Sequence, residues 1–104
     1  MVTVGLLVRL QARPGKEEDV ADFLQGIMPL IRQETATTAL FGLRFGSSDF
    51  GIFNAFPDEA GRAAHVAGRA AETLFGRADE LLAAPPTVEP VDIVAAKLTA
   101  ASAP

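Results

Sequence analysis

His65 is the single imidazole in this chain, and Cys, Tyr and Trp are all absent. It is therefore the one side chain of a type that ordinarily gains or loses a proton near neutral pH. A base of that kind can take a proton from a bound ligand. The same residue can also be read as an imidazole on the outer or subunit-facing side of its helix, making one structural hydrogen bond. Its spacing from Ala60, Ala64 and Ala67 leaves both readings open.

Arg9, Arg44, Asn54 and Asp92 form a second candidate set. By alternation each arginine, and Asn54, falls opposite its own strand's main apolar row, so all three are expected on one sheet face, with Asp92 from the last strand. Convergent polar groups in an apolar cavity are how small-molecule sites are commonly built. Two guanidiniums could hold a carboxylate or phenolate by charge-assisted hydrogen bonds. An Arg–Asp pair that satisfies itself across a dimer interface is the competing reading. Lys16, Glu17, Glu18 and Asp19 read as a solvated helix start, and Arg62, Arg69 and Arg77 as surface charge. No metal-ligand spacing, phosphate-binding glycine loop or nucleophile–base pair stands out.

Composition narrows the classes. With 104 residues there is room for one core, and 49% hydrophobic against 21% charged residues argues for folding rather than disorder. A formal charge of −4 argues against nucleic acid as a partner. The absence of cysteine excludes disulfides and thiolate chemistry and fits a reducing compartment, the cytoplasm. Alternation begins at Val2, with no basic segment and long apolar run before it, so neither a signal peptide nor a membrane span is expected.

The elements that must position these residues follow from period and punctuation. Val2, Val4, Leu6, Val8, Leu10 and Ala12 alternate with a mixed row, predicting a strand over 2–12. Arg13-Pro14-Gly15-Lys16 is a turn, and Val20, Phe23, Leu24, Ile27 and Ile31 then fall at helical spacing, with Pro29 predicting a kink and the helix fading by about Thr35. Residues 39–47 and 50–56 alternate again across Ser47-Ser48-Asp49, predicting a hairpin. Pro57 ends that second strand at Phe56, and Asp58 caps a helix that Gly68 bends or divides and Pro85-Pro86 ends. Val88–Leu98 is the expected last strand, with Pro90 tolerable on an edge, and residues 99–104 are expected as a flexible tail beyond a single domain over 1–98.

The order βαββαβ predicts a ferredoxin-like α+β fold, two helices on one face of a four-stranded antiparallel sheet. In the hairpin, Phe41, Leu43, Phe45 and Phe53 are expected beneath the helices and Arg44 and Asn54 opposite, because a slip would bury an unpaired guanidinium. The other face then carries Leu7, Leu40, Phe50, Ile52, Val94 and Leu98. That is too apolar to leave in water, which predicts a two-fold, sheet-to-sheet homodimer.

The Arg13–Glu18 turn into the first helix, and Phe56-Pro57-Asp58-Glu59-Ala60 followed by His65, resemble the antibiotic biosynthesis monooxygenase family over roughly residues 2–98. The resemblance implies a dimeric α+β barrel and, for some members, oxidation of polyphenols or quinols by O2 with no metal or flavin. It points to His65 and Asn54 as catalytic and to Phe56 beside a small aromatic substrate, with Arg9, Arg44 and Asp92 as binding residues from the alternation above. The places that match the haem-degrading branch's Asn, Trp and His hold Val8, His65 and Phe75, so no haem is implied, nor any other cofactor. A non-catalytic dimeric ligand-binding or stress-related module of the same fold is the alternative.

Overall fold

The computed structural model describes residues 1–98; the tail expected over 99–104 lies outside the described residues. Eight elements follow in order: β1 (Val4–Gln11), α1 (Glu17–Gly26), α2 (Met28–Arg32), β2 (Ala39–Arg44), β3 (Asp49–Phe56), α3 (Glu59–Val66), α4 (Arg69–Leu81) and β4 (Thr87–Asp92). The strands form one antiparallel sheet in the order β2-β3-β1-β4. This is the ferredoxin-like α+β fold, with each βαβ helix divided in two.

Both divisions have local causes. Pro29 lacks an N–H to donate, so the first helix stops at Gly26 and restarts as α2 with the proline in its opening turn. Gly68 caps the start of α4 with an extended backbone. Upstream, Gly15 takes the left-handed conformation at φ 86°, closing the turn in which the Lys16 amide donates to the Arg13 carbonyl at 2.9 Å. The corner after β3 is equally local. Asp58 is extended, and its carboxylate accepts the Gly61 amide at 2.9 Å, starting α3 where the sequence places it.

The core lies between the sheet and the helices. Val8, Leu10, Phe50 and Ile52 from the strands meet Val20, Phe23 and Ile27 from the first helical pair and Leu74 and Leu81 from α4. Phe56 is fully buried at the end of β3, and burial of a side chain that size contributes roughly 1.5–3 kcal/mol. The two βαβ connections thus clamp one sheet face and leave the other free of helices.

Registry corrects the expected faces of the hairpin. Leu6 stands opposite Asn54, Val8 opposite Ile52 and Leu10 opposite Phe50, so the buried row of β3 is Phe50, Ile52, Asn54 and Phe56. Leu40 faces Asn54 and packs against the core, whereas Phe41 pairs with Phe53 on the helix-free face and is 56% exposed. Phe41, Leu43, Phe45 and Phe53 therefore do not lie beneath the helices, and Asn54 does. The guanidinium argument failed because Arg44 is the last residue of an edge strand. From there its side chain reaches solvent and Glu18 (3.2 Å), so it is never stranded in the core.

The last strand is also shorter than expected. It ends at Asp92, followed by one further backbone bond from the Ile93 amide to the Thr3 carbonyl, and Val94 is almost fully exposed. Pro90 sits inside β4 opposite Leu6, which the edge position of β4 permits.

Replacing the capping residue tests the corner that aims α3. Asp58→Ala should cost about 1 kcal/mol, the usual value of an N-cap, read as a lower urea midpoint with unchanged slope.

Candidate functional site

A narrow cavity of about 60 Å³ runs between the sheet and the helices. Leu6, Val8, Ile52 and Leu40 form its sheet wall, with Ile27, Ile31, Ala70 and Leu74 opposite. Val66 and Phe75, each 51% exposed, stand among its lining residues nearer the surface. Two polar side chains line this otherwise apolar space, Asn54 and His65.

Asn54 is completely buried, and neither its amide nitrogen nor its amide oxygen has a hydrogen-bond partner among the described residues. Its two N–H donors and its carbonyl would be expected to find partners when desolvated, and each group left unpaired costs about 1–3 kcal/mol. An apolar side chain here would avoid that cost, so the residue is expensive on structural grounds alone. Buried, unpaired amides of this kind are the polar anchors around which small-molecule pockets are organised.

His65 reaches the same cavity from the last turn of α3. Its Nδ1 lies 2.6 Å from Oε1 of Glu34, and the side chains are only 10% and 19% exposed. Thr37 donates its hydroxyl to the same Glu34 oxygen at 2.7 Å, while Glu34 Oε2 is buried with no partner among the described residues. The Phe56 ring stands behind the imidazole, centroids 5.5 Å apart and tilted by 42°. Phe56 and His65 are thus neighbours because Pro57 and Asp58 turn the chain directly from strand into helix.

The other expected binding residues do not join this group, and none of them lines the cavity. Arg9 lies on the helix-free face, bonded to Glu89 at 3.3 Å and stacked over Phe45. Arg44 is at the far edge on the helix side, over Phe50 and bonded to Glu18 and the hairpin carbonyls of Gly46 and Ser47. Asp92 is exposed at the end of β4, opposite Val4. The two arginines therefore occupy opposite faces, and the expected anion clamp does not form. Phe56 contacts His65 but stays behind the cavity wall.

Sequence reasoning missed two residues. Arg62, read as surface charge, has a side chain only 16% exposed. It donates to the Gly5 carbonyl at 3.1 Å and to the Val91 carbonyl at 3.3 Å, tying α3 to β1 and β4. Its forked bond to Glu59 holds that carboxyl below the usual carboxylate range, against the opposing effect of desolvation. Glu34 lies just before Thr35, where the helix was expected to fade, and nothing local singled it out. A carboxylate three residues before Thr37 was visible in the sequence, but nothing in the sequence ties position 34 to position 65. Among the described residues no group of three His, Cys, Asp or Glu is placed to hold a metal ion, and no helix is long and apolar enough to cross a membrane.

A ferredoxin-like subunit with a small apolar cavity between sheet and helices defines the class of protein. Solved structures share this fold. A Nitrosomonas europaea protein provisionally named an antibiotic biosynthesis monooxygenase superposes with a TM-score of 0.78 at 14% identity, covering 88% of this chain and 90% of that one. A Mycobacterium tuberculosis protein does so at 0.75 and 16% identity, over 93% and 96% of the two chains. The resemblance to antibiotic biosynthesis monooxygenases is thereby upheld at the level of fold. A second Nitrosomonas europaea protein, of unknown function, is 50% identical over 95% of this chain and 96% of its own, with a TM-score of 0.93. This chain belongs to the same family as that protein. No protein-family model and no curated protein matches the chain.

The unpaired amide generates a direct test. Asn54→Leu keeps a branched side chain of similar outline and removes the unsatisfied groups. It should raise stability by about 1–2 kcal/mol in urea unfolding, while abolishing any ligand binding in the cavity.

Proposed function

We propose that this protein is a cofactor-independent monooxygenase of a small aromatic or quinol-type molecule. The observation that carries the reading is the presence of His65 and the unpaired amide of Asn54 in one apolar cavity. His65 acts as the base that takes a phenolic proton, and the Asn54 amide donates to the oxygen that becomes charged. The aliphatic wall keeps water from competing for that oxygen. The substrate supplies the electrons. At an activated ring CH2 carbon, O2 delivers one oxygen as a carbonyl while its second leaves as water with the two hydrogens lost from carbon.

The cavity's size bears on the same question. About 60 Å³ holds a few waters or O2, and is smaller than the engineered cavities of about 150 Å³ that take up benzene. A ring can enter only if side chains yield, and the half-exposed Val66 and Phe75 are the ones free to do so. The small volume also favours a second reading, a non-catalytic module binding a smaller ligand or serving a stress-related role in the same place.

Oxygen uptake separates the two. With a panel of hydroquinones and anthrones, the wild type should consume O2 on at least one, and His65→Ala should slow that turnover by about 100-fold or more, the usual worth of a positioned base. Uptake on no member of the panel, with binding retained, would favour the module.

We also propose a homodimer built on the helix-free sheet face. Phe41 and Phe45 are more than half exposed there, beside the partly covered Leu7, Leu43, Phe53 and Val91. A contiguous apolar face of that kind is costly in water, and a second copy related by a two-fold axis covers it on both subunits at once. A reducing cytoplasm fits the cysteine-free sequence. Sedimentation at micromolar concentration should give twice the 10.9 kDa chain mass, and Phe41→Asp should shift it towards the monomer.

A further inference from the structure

We infer that Glu34 is the positioning residue of the site, fixing His65 as the Nδ1–H tautomer so that Nε2 is the basic nitrogen left for the cavity. Three observations converge on this. Glu34 Oε1 lies 2.6 Å from Nδ1, a short hydrogen bond of the kind a charged partner gives. Thr37 donates to that same oxygen at 2.7 Å, so Oε1 already serves as an acceptor on its other side. His65 lines the cavity and Glu34 does not, so the bonded edge of the ring is turned away from the apolar space.

The proton balance is simple. In the resting pair the carboxylate accepts a hydrogen bond from Nδ1–H and the Nε2 lone pair is free. When Nε2 takes a proton from a ligand O–H, the ring becomes an imidazolium bonded through Nδ1 to a carboxylate, and the ligand oxygen becomes an anion beside Asn54. Glu34 itself neither gains nor loses a proton. Its negative charge, costly when buried beside a neutral ring, becomes half of an ion pair at the moment of transfer. The residue touches His65 rather than the cavity, so it acts through the imidazole. Its use in turnover rests on the oxygenase reading; the tautomer does not.

The chain's single histidine makes the tautomer directly readable. Ring 15N shifts and long-range couplings of the uniformly labelled, full-length protein need no assignment by mutation, and a pH series identifies the neutral limb. The wild-type neutral form should be predominantly Nδ1–H. Glu34→Met, close in volume and without an acceptor, should move the population to the Nε2–H form that unconstrained imidazoles favour. Thr37→Val should leave the Nδ1–H form in the majority.

A wild-type neutral form that is Nε2–H would overturn the inference, whatever the variants do, because Nδ1 would then be accepting from a protonated Glu34. So would a folded Glu34→Met protein that keeps Nδ1–H. Both readouts are taken without substrate, so failure to find oxygen uptake leaves them unaffected. Where uptake is found, Glu34→Met should lower it at least 10-fold with the histidine still in place.

Discussion

β3 is hydrogen-bonded on both sides, to β2 and to β1, and a strand offers its residues only two faces. Its choice of face fixes the rest of the subunit. With Phe50, Ile52, Asn54 and Phe56 turned towards the helices, β1 must present Leu6, Val8 and Leu10, and β2 must present Leu40, because opposed residues in an antiparallel pair share a side. The same parity sends Phe41, Phe45 and Phe53 to the helix-free face. One alternation therefore decides both where the cavity forms and which apolar residues lie on the helix-free face.

Glycine allows this arrangement to close. A Cβ at Gly5 would stand 2.6 Å from the Asn54 carbonyl oxygen, and one at Gly51 would stand 2.8 Å from the Phe45 ring. The first close approach brings β1 against the strand that carries the amide. The second leaves room for the Phe45 ring over Gly51, where Arg9 stands over it. Neither glycine needs an unusual backbone conformation; both are there because a side chain would not fit.

The candidate site combines an expensive buried amide with an imidazole held from behind by a carboxylate. These are different kinds of constraint. Asn54 is held by the sheet, a rigid element, and its amide has no partner among the described residues. His65 is held by Glu34 in the connection after α2 and by the Phe56 ring. An amide placed by the sheet and an imidazole placed by the helix layer line one cavity, helped by the short strand-to-helix corner at Pro57-Asp58.

Local signals carried much of this in the sequence. Element order, the breaks at Pro29 and Gly68, the cap at Asp58 and the neighbourhood of Phe56 and His65 all follow from residues within a few positions of one another. The fold class follows from that order. The faces of β2 and β3 were not legible, because both rows of the hairpin are apolar and its charged residues, Arg44 and Asp49, sit at the turn end, where either face reaches water. Tertiary structure alone decided that Asn54 lies in the core, that Arg9 and Arg44 part company, and that Glu34 meets His65. Each depends on pairing between segments 30 or more residues apart, and side-chain spacing along one strand or helix contains no term for the neighbour it will meet.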